Sequence, residues 1–396
     1  MIYQPHFLYR LKLVFIYLLV KLKFLHPLLP KNFRNELPMG CTDKMFWMAF
    51  KSGGKKVYFN YYCTLDEPDS YQPKVAVDPQ YQMTEDEIHS FYDNGYLGPF
   101  DLIPPTEIAE LREHIIKLGN TESKIFSYAN GDYQFTDLKK GDGKFKSPES
   151  LNEKEKYYID VLNSYERHLE DSVLLNLYTS PAIIERCAQL LGADLGIWHS
   201  NFFSVAPHSK GASFHQASRW YNFDMKEPVL KPAKDGELYQ VTVWIALTDV
   251  PEEQSCLLVI PGSHKDVYPM NISTGGGEEG RAYGIYDTQV DYPTDKQNTK
   301  TLPAKAGQFF LLCERMIHGS TDNVTDNRRW AAGCRVIKAD TQVFTKTMLE
   351  NGMDMRVYGV KNIKLDRWKP ILVRGKNILG YQEPCLEEVA LAKSSG

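Results

Sequence analysis

A chain of 396 residues exceeds a typical single domain, but one elaborated β-barrel with helical additions accounts for most of that length. Its 46 basic and 50 acidic residues leave a formal charge of −4, which argues against a nucleic-acid binder and fits a ligand-processing enzyme. Seven cysteines (Cys41, Cys63, Cys187, Cys256, Cys313, Cys334, Cys385) form no CxxC pair and no zinc-like spacing, and their odd number argues against a closed disulfide framework. Reduced thiols in a cytoplasmic compartment are expected.

Leu13 to Val20 is an unbroken apolar run with Arg10 and Lys12 before it and Lys21 and Lys23 after it. It is too short to cross a bilayer, which takes roughly 20 helical residues. The trailing cations and the lack of a small-residue cleavage site do not suit a secretory signal. Residues 8–29 have two placements open to them. They can pack on their own domain or a partner subunit, or lie on an anionic membrane surface, since no acid precedes Glu36. With Pro27, Pro30 and the aromatic patch from Tyr58 to Tyr62, residues 1–78 are expected to form an accessory segment.

Thr84 followed by Glu87 is a capping-box pattern that opens a helix ending near Asn94-Gly95. A second helix is expected after Pro104-Pro105-Thr106. Ile108, Leu111, Ile115 and Leu118 would share its face, and Gly119 would supply a left-handed stop. Residues 139–156, rich in Lys, Gly, Ser and Glu, read as an exposed loop. One long helical stretch then runs from about Glu153 to Leu177. Ser180-Pro181 starts another helix that Gly192 terminates.

From Gly196 the pattern becomes extended, with β-branched and aromatic runs at Trp198–Val205, Val241–Leu247, Cys256–Ile260, Gln308–Cys313 and Arg329–Ile337. Turns at Pro261-Gly262-Ser263 and Lys305-Ala306-Gly307 separate them. Short strands behind a helical block predict a mainly β fold with α, a jelly-roll (cupin-like) core flanked by helices. Gly275-Gly276-Gly277 lies in a long insert and lacks the Lys-Ser/Thr ending of a phosphate loop. The expected division is 1–78 accessory, 79–345 catalytic, and 346–396 a C-terminal extension packed on the catalytic domain.

His215 and Ala217 stand two apart in an expected strand, so their side chains face one way. Non-haem iron sites take an H-x-D/E pair and a distant second histidine as a facial triad. Here His318 follows His215 by 103 residues, but alanine occupies the position of the acid. Arg329, Ala331, Gly333 and Arg335 would share one strand face, two guanidinium groups with small residues between them. An arginine in that setting suits a carboxylate ligand. Arg328 would lie on the opposite face.

Several segments together resemble the phytanoyl-CoA dioxygenase-like superfamily from about Met83 to Lys338. They are Gly95-Tyr96-Leu97-Gly98-Pro99-Phe100-Asp101, Tyr165-Glu166-Arg167-His168-Leu169, Phe214-His215-Gln216-Ala217, Thr242-Val243-Trp244, Pro261-Gly262-Ser263-His264, Ala306-Gly307-Gln308-Phe309 and the stretch from His318 to Arg335. Within it, Ala217 and Asn222 resemble the carrier-protein-dependent aliphatic halogenases typified by the syringomycin threonyl halogenase. The resemblance implies a double-stranded β-helix core and an Fe(II)- and 2-oxoglutarate-dependent halogenase. With O2 and chloride, such an enzyme replaces a hydrogen on an unactivated carbon of a carrier-tethered acyl or aminoacyl group, releasing succinate and CO2.

In the roles so implied, His215 and His318 hold iron and Arg329 binds 2-oxoglutarate. Ala217, Asn222 and Arg335 form the halide pocket, and Thr242 and Trp244 line the cofactor site. Removing the carboxylate opens one coordination position and removes one anionic ligand, and chloride can restore both. Glu314, four residues before His318, challenges that reading because a carboxylate there would favour hydroxylation if it reached the iron. In an extended strand the offset is about 13 Å. Asp224 is a less suitable replacement ligand, and alternation sends Arg315 to the face opposite Glu314. The alternatives are a hydroxylase using the same cofactors and a non-catalytic carrier-docking relative.

Overall fold

The computed structural model describes residues 7–125, 133–136, 143–217, 228–272, 288–295, 297–355 and 360–379. Helices dominate the first half: α1 Phe7–Lys21, α2 Asp43–Ser52, α3 Glu85–Asn94, α4 Ile108–Gly119, α5 Glu153–Asn163, α6 Ser172–Tyr178 and α7 Pro181–Leu191. The expected capping box opens α3, with Glu87 N–H donating to the Thr84 hydroxyl and Thr84 N–H to the Glu87 carboxylate. Gly95 closes the helix at φ 83°.

Three local expectations fail. Gly119 is helical and no left-handed cap, because α4 runs on to Asn120 at φ −84°. A Cβ at Gly119 would meet the Phe202 ring at 3.1 Å, so the glycine there serves close packing. The long helix expected from Glu153 to Leu177 is broken between α5 and α6, where Glu166 adopts φ 58°. Tertiary bonds outweigh helix propensity at that point. Glu166 N–H donates to the Ser200 carbonyl, and its carboxylate accepts from Ser200 N–H and from His199. Within the expected loop at 139–156, Gly143–Lys146 pairs with Tyr133–Thr136. The glycine triplet at 275–277 lies outside the described residues.

The strands that build the core are β1 Tyr96–Asp101, β2 Leu195–Val205, β3 Gln240–Ala246, β4 Leu257–Val259, β5 Lys300–Leu302, β6 Gln308–Cys313, β7 His318–Ser320, β8 Arg329–Lys338 and β9 Ile371–Arg374. The larger sheet has the order β9-β2-β8-β3-β6-β1, and the smaller has β5-β4-β7. All their pairings are antiparallel.

Strand alternation divides the larger sheet into two faces. Val241, Val243 and Ile245 of β3, Phe309 and Leu311 of β6, and Ala332, Cys334 and Val336 of β8 pack in one cluster with α3, α4, α6 and α7. Each large apolar side chain buried there contributes about 1.5–3 kcal/mol. On the other face, Trp244, Ala246, Phe310, Leu312 and Ala331 pack against Leu257, Val259 and Leu302 of the smaller sheet. The architecture is the expected jelly roll with a helical layer, and the space between its two sheets positions the site.

Candidate functional site

His318 begins β7 and pairs with Val259 of β4. On the other side of β7, His215 forms an isolated antiparallel bridge to His318. The two residues exchange both backbone hydrogen bonds, at 2.9 and 3.0 Å. His215 therefore lies in an extended loop and not in the regular strand expected, because Ser209–Ala217 follows the edge of the smaller sheet at only a few points. Gly319 permits that approach, since a Cβ there would meet the Ala212 carbonyl at 2.8 Å.

The bridge brings the two imidazoles to 4.2 Å between ring centroids. His215 Nδ1 donates to the Ser213 carbonyl at 2.8 Å and His318 Nδ1 to the Met316 carbonyl at 2.9 Å. With the proton held on Nδ1, each Nε2 carries the lone pair a metal requires. Burial, the neighbouring His318 and the Arg335 charge lower the His215 pKa to about 3, and burial and Arg335 lower that of His318 to about 4. Both rings are therefore neutral at physiological pH. Among the described residues, no group of three His, Cys, Asp or Glu is placed to hold a metal ion.

Ala217 is buried two residues beyond His215. Between them Gln216 anchors the loop, its side-chain amide donating to the carbonyls of Asp266 and Arg315, both at 2.7 Å, and accepting from Tyr268 N–H. Asn60 donates to the Gln216 carbonyl at 2.6 Å, so the N-terminal segment also grips this loop. Sequence reasoning gave Gln216 no role; its position inside the H-x-A triplet was the one available signal.

Along β8, Arg329, Ala331, Gly333 and Arg335 alternate with the helix-facing Ala332 and Cys334, as expected, while Arg328 is exposed and donates to the Ser204 hydroxyl. Arg329 is 3% exposed, and its Nη2 donates to the Ser255 hydroxyl at 3.2 Å. Its Nε and Nη1 have no partner among the described residues. The rings of Phe203 and Trp244 lie 5.1 and 5.7 Å from the guanidinium carbon, and burial lowers its pKa to about 10. A buried cation with two idle donors and no paired acid has the chemistry of an anion site, and its fork matches a carboxylate.

Thr242 pairs with Arg335 across β3 and β8, and Trp244 pairs with Gly333. On the other side of β8, Arg335 faces His199 of β2. The His199–Glu166 contact of 2.5 Å is a second feature that went unassigned, although Glu166 stands in a quoted motif. Asn222 and Asp224 lie outside the described residues.

Glu314 is buried beside Arg315, whose Nε donates to its carboxylate at 2.9 Å. Arg315 Nη2 donates onward to the Glu237 carbonyl. Burial alone would lower the Arg315 pKa, but the Glu314 carboxylate outweighs it and raises the value. The expectation that alternation would separate the two side chains fails, because β6 ends at Cys313 and residues 314–315 form a turn. All six described cysteines are free thiols.

The family model described as "Phytanoyl-CoA dioxygenase (PhyH)" matches residues 91–331. The chain is 24% identical over 292 residues to the human "Phytanoyl-CoA dioxygenase, peroxisomal", covering 71% of this chain and 78% of that one. It is 20% identical over 277 residues to the "Ectoine dioxygenase" of Nocardia farcinica (strain IFM 10152), with coverage of 66% and 83%. A solved structure described as "CytC3 with Fe(II) and alpha-ketoglutarate" shares the fold at TM-score 0.52 and 20% identity, covering 76% of this chain and 92% of that one.

Proposed function

Because the chain belongs to the phytanoyl-CoA dioxygenase family, we propose that it is an Fe(II)- and 2-oxoglutarate-dependent oxidoreductase that chlorinates an unactivated aliphatic carbon. Its substrate in this reading is an acyl or aminoacyl group carried on the phosphopantetheine of a carrier protein. Residues 79–345 would form the catalytic unit, with 1–78 beside it and 346–396 contributing the edge strand β9 of its larger sheet.

One observation carries the reading: two neutral imidazoles are brought together by the backbone bridge between their residues, a buried alanine stands two residues beyond the first, and Glu314 is held by Arg315. The donor set fits the iron and its cosubstrate. His215 and His318 would hold Fe(II) through Nε2, and the idle donors of Arg329 would take the distal carboxylate of 2-oxoglutarate.

Bound Fe(II), with 2-oxoglutarate and O2 as the source of succinate and CO2, would supply an oxidant able to take a hydrogen atom from a saturated carbon. Ala217 supplies no ligand atom, so chloride would complete the donor set of a metal held by His215 and His318. Arg335, whose charge reaches both imidazoles, biases that region toward an anion. Trp244 shields the Arg329 pocket and Thr242 lines the strand beside it.

The test is anaerobic loading with Fe(II) and 2-oxoglutarate, then chloride titration of the charge-transfer absorption band. A saturable chloride-dependent shift is expected, and a band indifferent to chloride would sink the halogenase reading. Intact-mass analysis of a panel of carrier-loaded substrates then separates chlorine replacing hydrogen from oxygen insertion.

A further inference from the structure

The helix α1 leaves much of its apolar surface uncovered. Leu19 and Val20 pack with Leu37, and Tyr17 stacks on Phe46 of α2 at 3.9 Å between centroids. Leu8, Leu11, Phe15 and Leu18 are exposed, and their spacing of three and four residues puts them on one stripe of α1, with exposed Leu22 just past its end. Leu8 is 69% exposed and Phe15 58%. Beyond the helix, Phe24 at 74% and Leu28 at 80% extend the exposed apolar set, with Phe33 following.

Charge indicates what covers this surface. Residues 7–35 carry Arg10, Lys12, Lys21, Lys23, Lys31 and Arg34, and no acid occurs before Glu36. A second copy seated on the stripe would set Lys12, Lys23, Lys31 and Arg34 against an identical set with no carboxylate of the same segment to meet them. A coiled-coil partner would also cover only a narrow seam, whereas Phe24, Leu28 and Phe33 continue past the helix. Among the described residues no helix is long and apolar enough to cross a membrane.

We propose that residues 8–33 form an interfacial docking element that lies in the plane of an anionic membrane. The leucine and phenylalanine stripe enters the headgroup boundary and the exposed Lys12, Lys23, Lys31 and Arg34 meet anionic lipid, while Lys21 pairs with Asp43 and Arg10 donates to the Phe50 and Lys51 carbonyls of α2. The docked element connects to the site. Met45 of α2 packs with Tyr58, Cys63 and Val267, and Asn60 in the same segment holds the Gln216 carbonyl beside His215. Docking thus brings the site to the membrane surface, whichever reaction the His215–His318 pair supports.

The experiment is co-sedimentation of the full chain with vesicles of phosphatidylcholine alone and of phosphatidylcholine mixed with phosphatidylserine. Capture by the anionic vesicles, weakened by added salt, is expected. The pairs Phe15→Glu with Leu18→Glu and Phe24→Glu with Leu28→Glu should each lower partitioning by about ten-fold or more. Lys12→Glu with Lys23→Glu should lower it without touching the apolar stripe, and circular dichroism checks that each variant is folded. Equal capture by both compositions, or none by either, overturns the proposal. So does a chain that sediments as a dimer and becomes a monomer in the Phe15→Glu variant, because the stripe would then belong to a second copy.

Discussion

Glu314 and Arg315, adjacent in sequence, form a buried ion pair with Arg315 Nε 2.9 Å from the Glu314 carboxylate. The pair engages the acid that the sequence offers four residues before His318 as a stand-in for the carboxylate missing at position 217. Breaking it by Glu314→Gln leaves Arg315 buried without its counter-ion, and should cost about 3–5 kcal/mol of stability. Urea unfolding measures this. Metal binding by the folded variant should stay close to wild type, and loss of metal with the fold intact would show that the carboxylate reaches the iron.

Ala217→Asp should restore a carboxylate beside His215. Metal affinity is expected to rise and the chloride response of the charge-transfer band to disappear, because the new ligand takes the halide position. An unchanged chloride titration in this variant would contradict the proposed site.

Arg329 is a buried cation with two unused donors, which makes its replacement informative in two directions. In Arg329→Leu the ligand-free protein should melt no lower than wild type, since an uncompensated buried charge has been removed. The stabilisation that 2-oxoglutarate gives the wild type should be lost. Cosubstrate affinity should fall by about 30-fold or more, the equivalent of roughly 2 kcal/mol. Thermal melts with and without 2-oxoglutarate read both effects.

Acid stability has a sign that two buried histidines other than His215 and His318 decide. Burial, with His199, lowers the His168 pKa to about 3, and burial lowers that of His264 to about 4. His168 Nδ1 contacts the Ser200 hydroxyl at 2.7 Å, and His264 Nε2 donates to the Tyr92 carbonyl at 2.9 Å. The unfolded chain takes up these protons first, near pH 6.5. The stability they contribute is therefore present above that pH and lost progressively as pH falls toward the folded values. At pH 5 each histidine should account for about 2 kcal/mol. The melting temperature should drop between pH 7 and 5, and His168→Gln should flatten the slope. Equal slopes for the two proteins would refute the assignment.

Much of the helical layer was legible locally. The Thr84–Glu87 box and Gly95 act within one helix, and the alternation of apolar residues in β3, β6 and β8 marks the two faces of the sheet without reference to other strands. Alternation also put Arg329 and Arg335 on one face. Local signals failed where distant partners decide. Glu166 breaks a helix to bond β2, and Gly119 answers to Phe202.

The sequence by itself determined the residue types, their period and the absence of an acid at position 217, since these depend on chain order alone. Only the tertiary structure decided that His215 bridges His318 across 103 positions, that Arg329 is buried without an acid partner among the described residues, and that Glu314 is bound to Arg315. Each of these is a contact or an environment, set by the chain returning to the edge of the smaller sheet at His215, by burial of Arg329 between the sheets, and by the turn at 314–315. Spacing can nominate two histidines, but the backbone bridge sets the 4.2 Å between their rings.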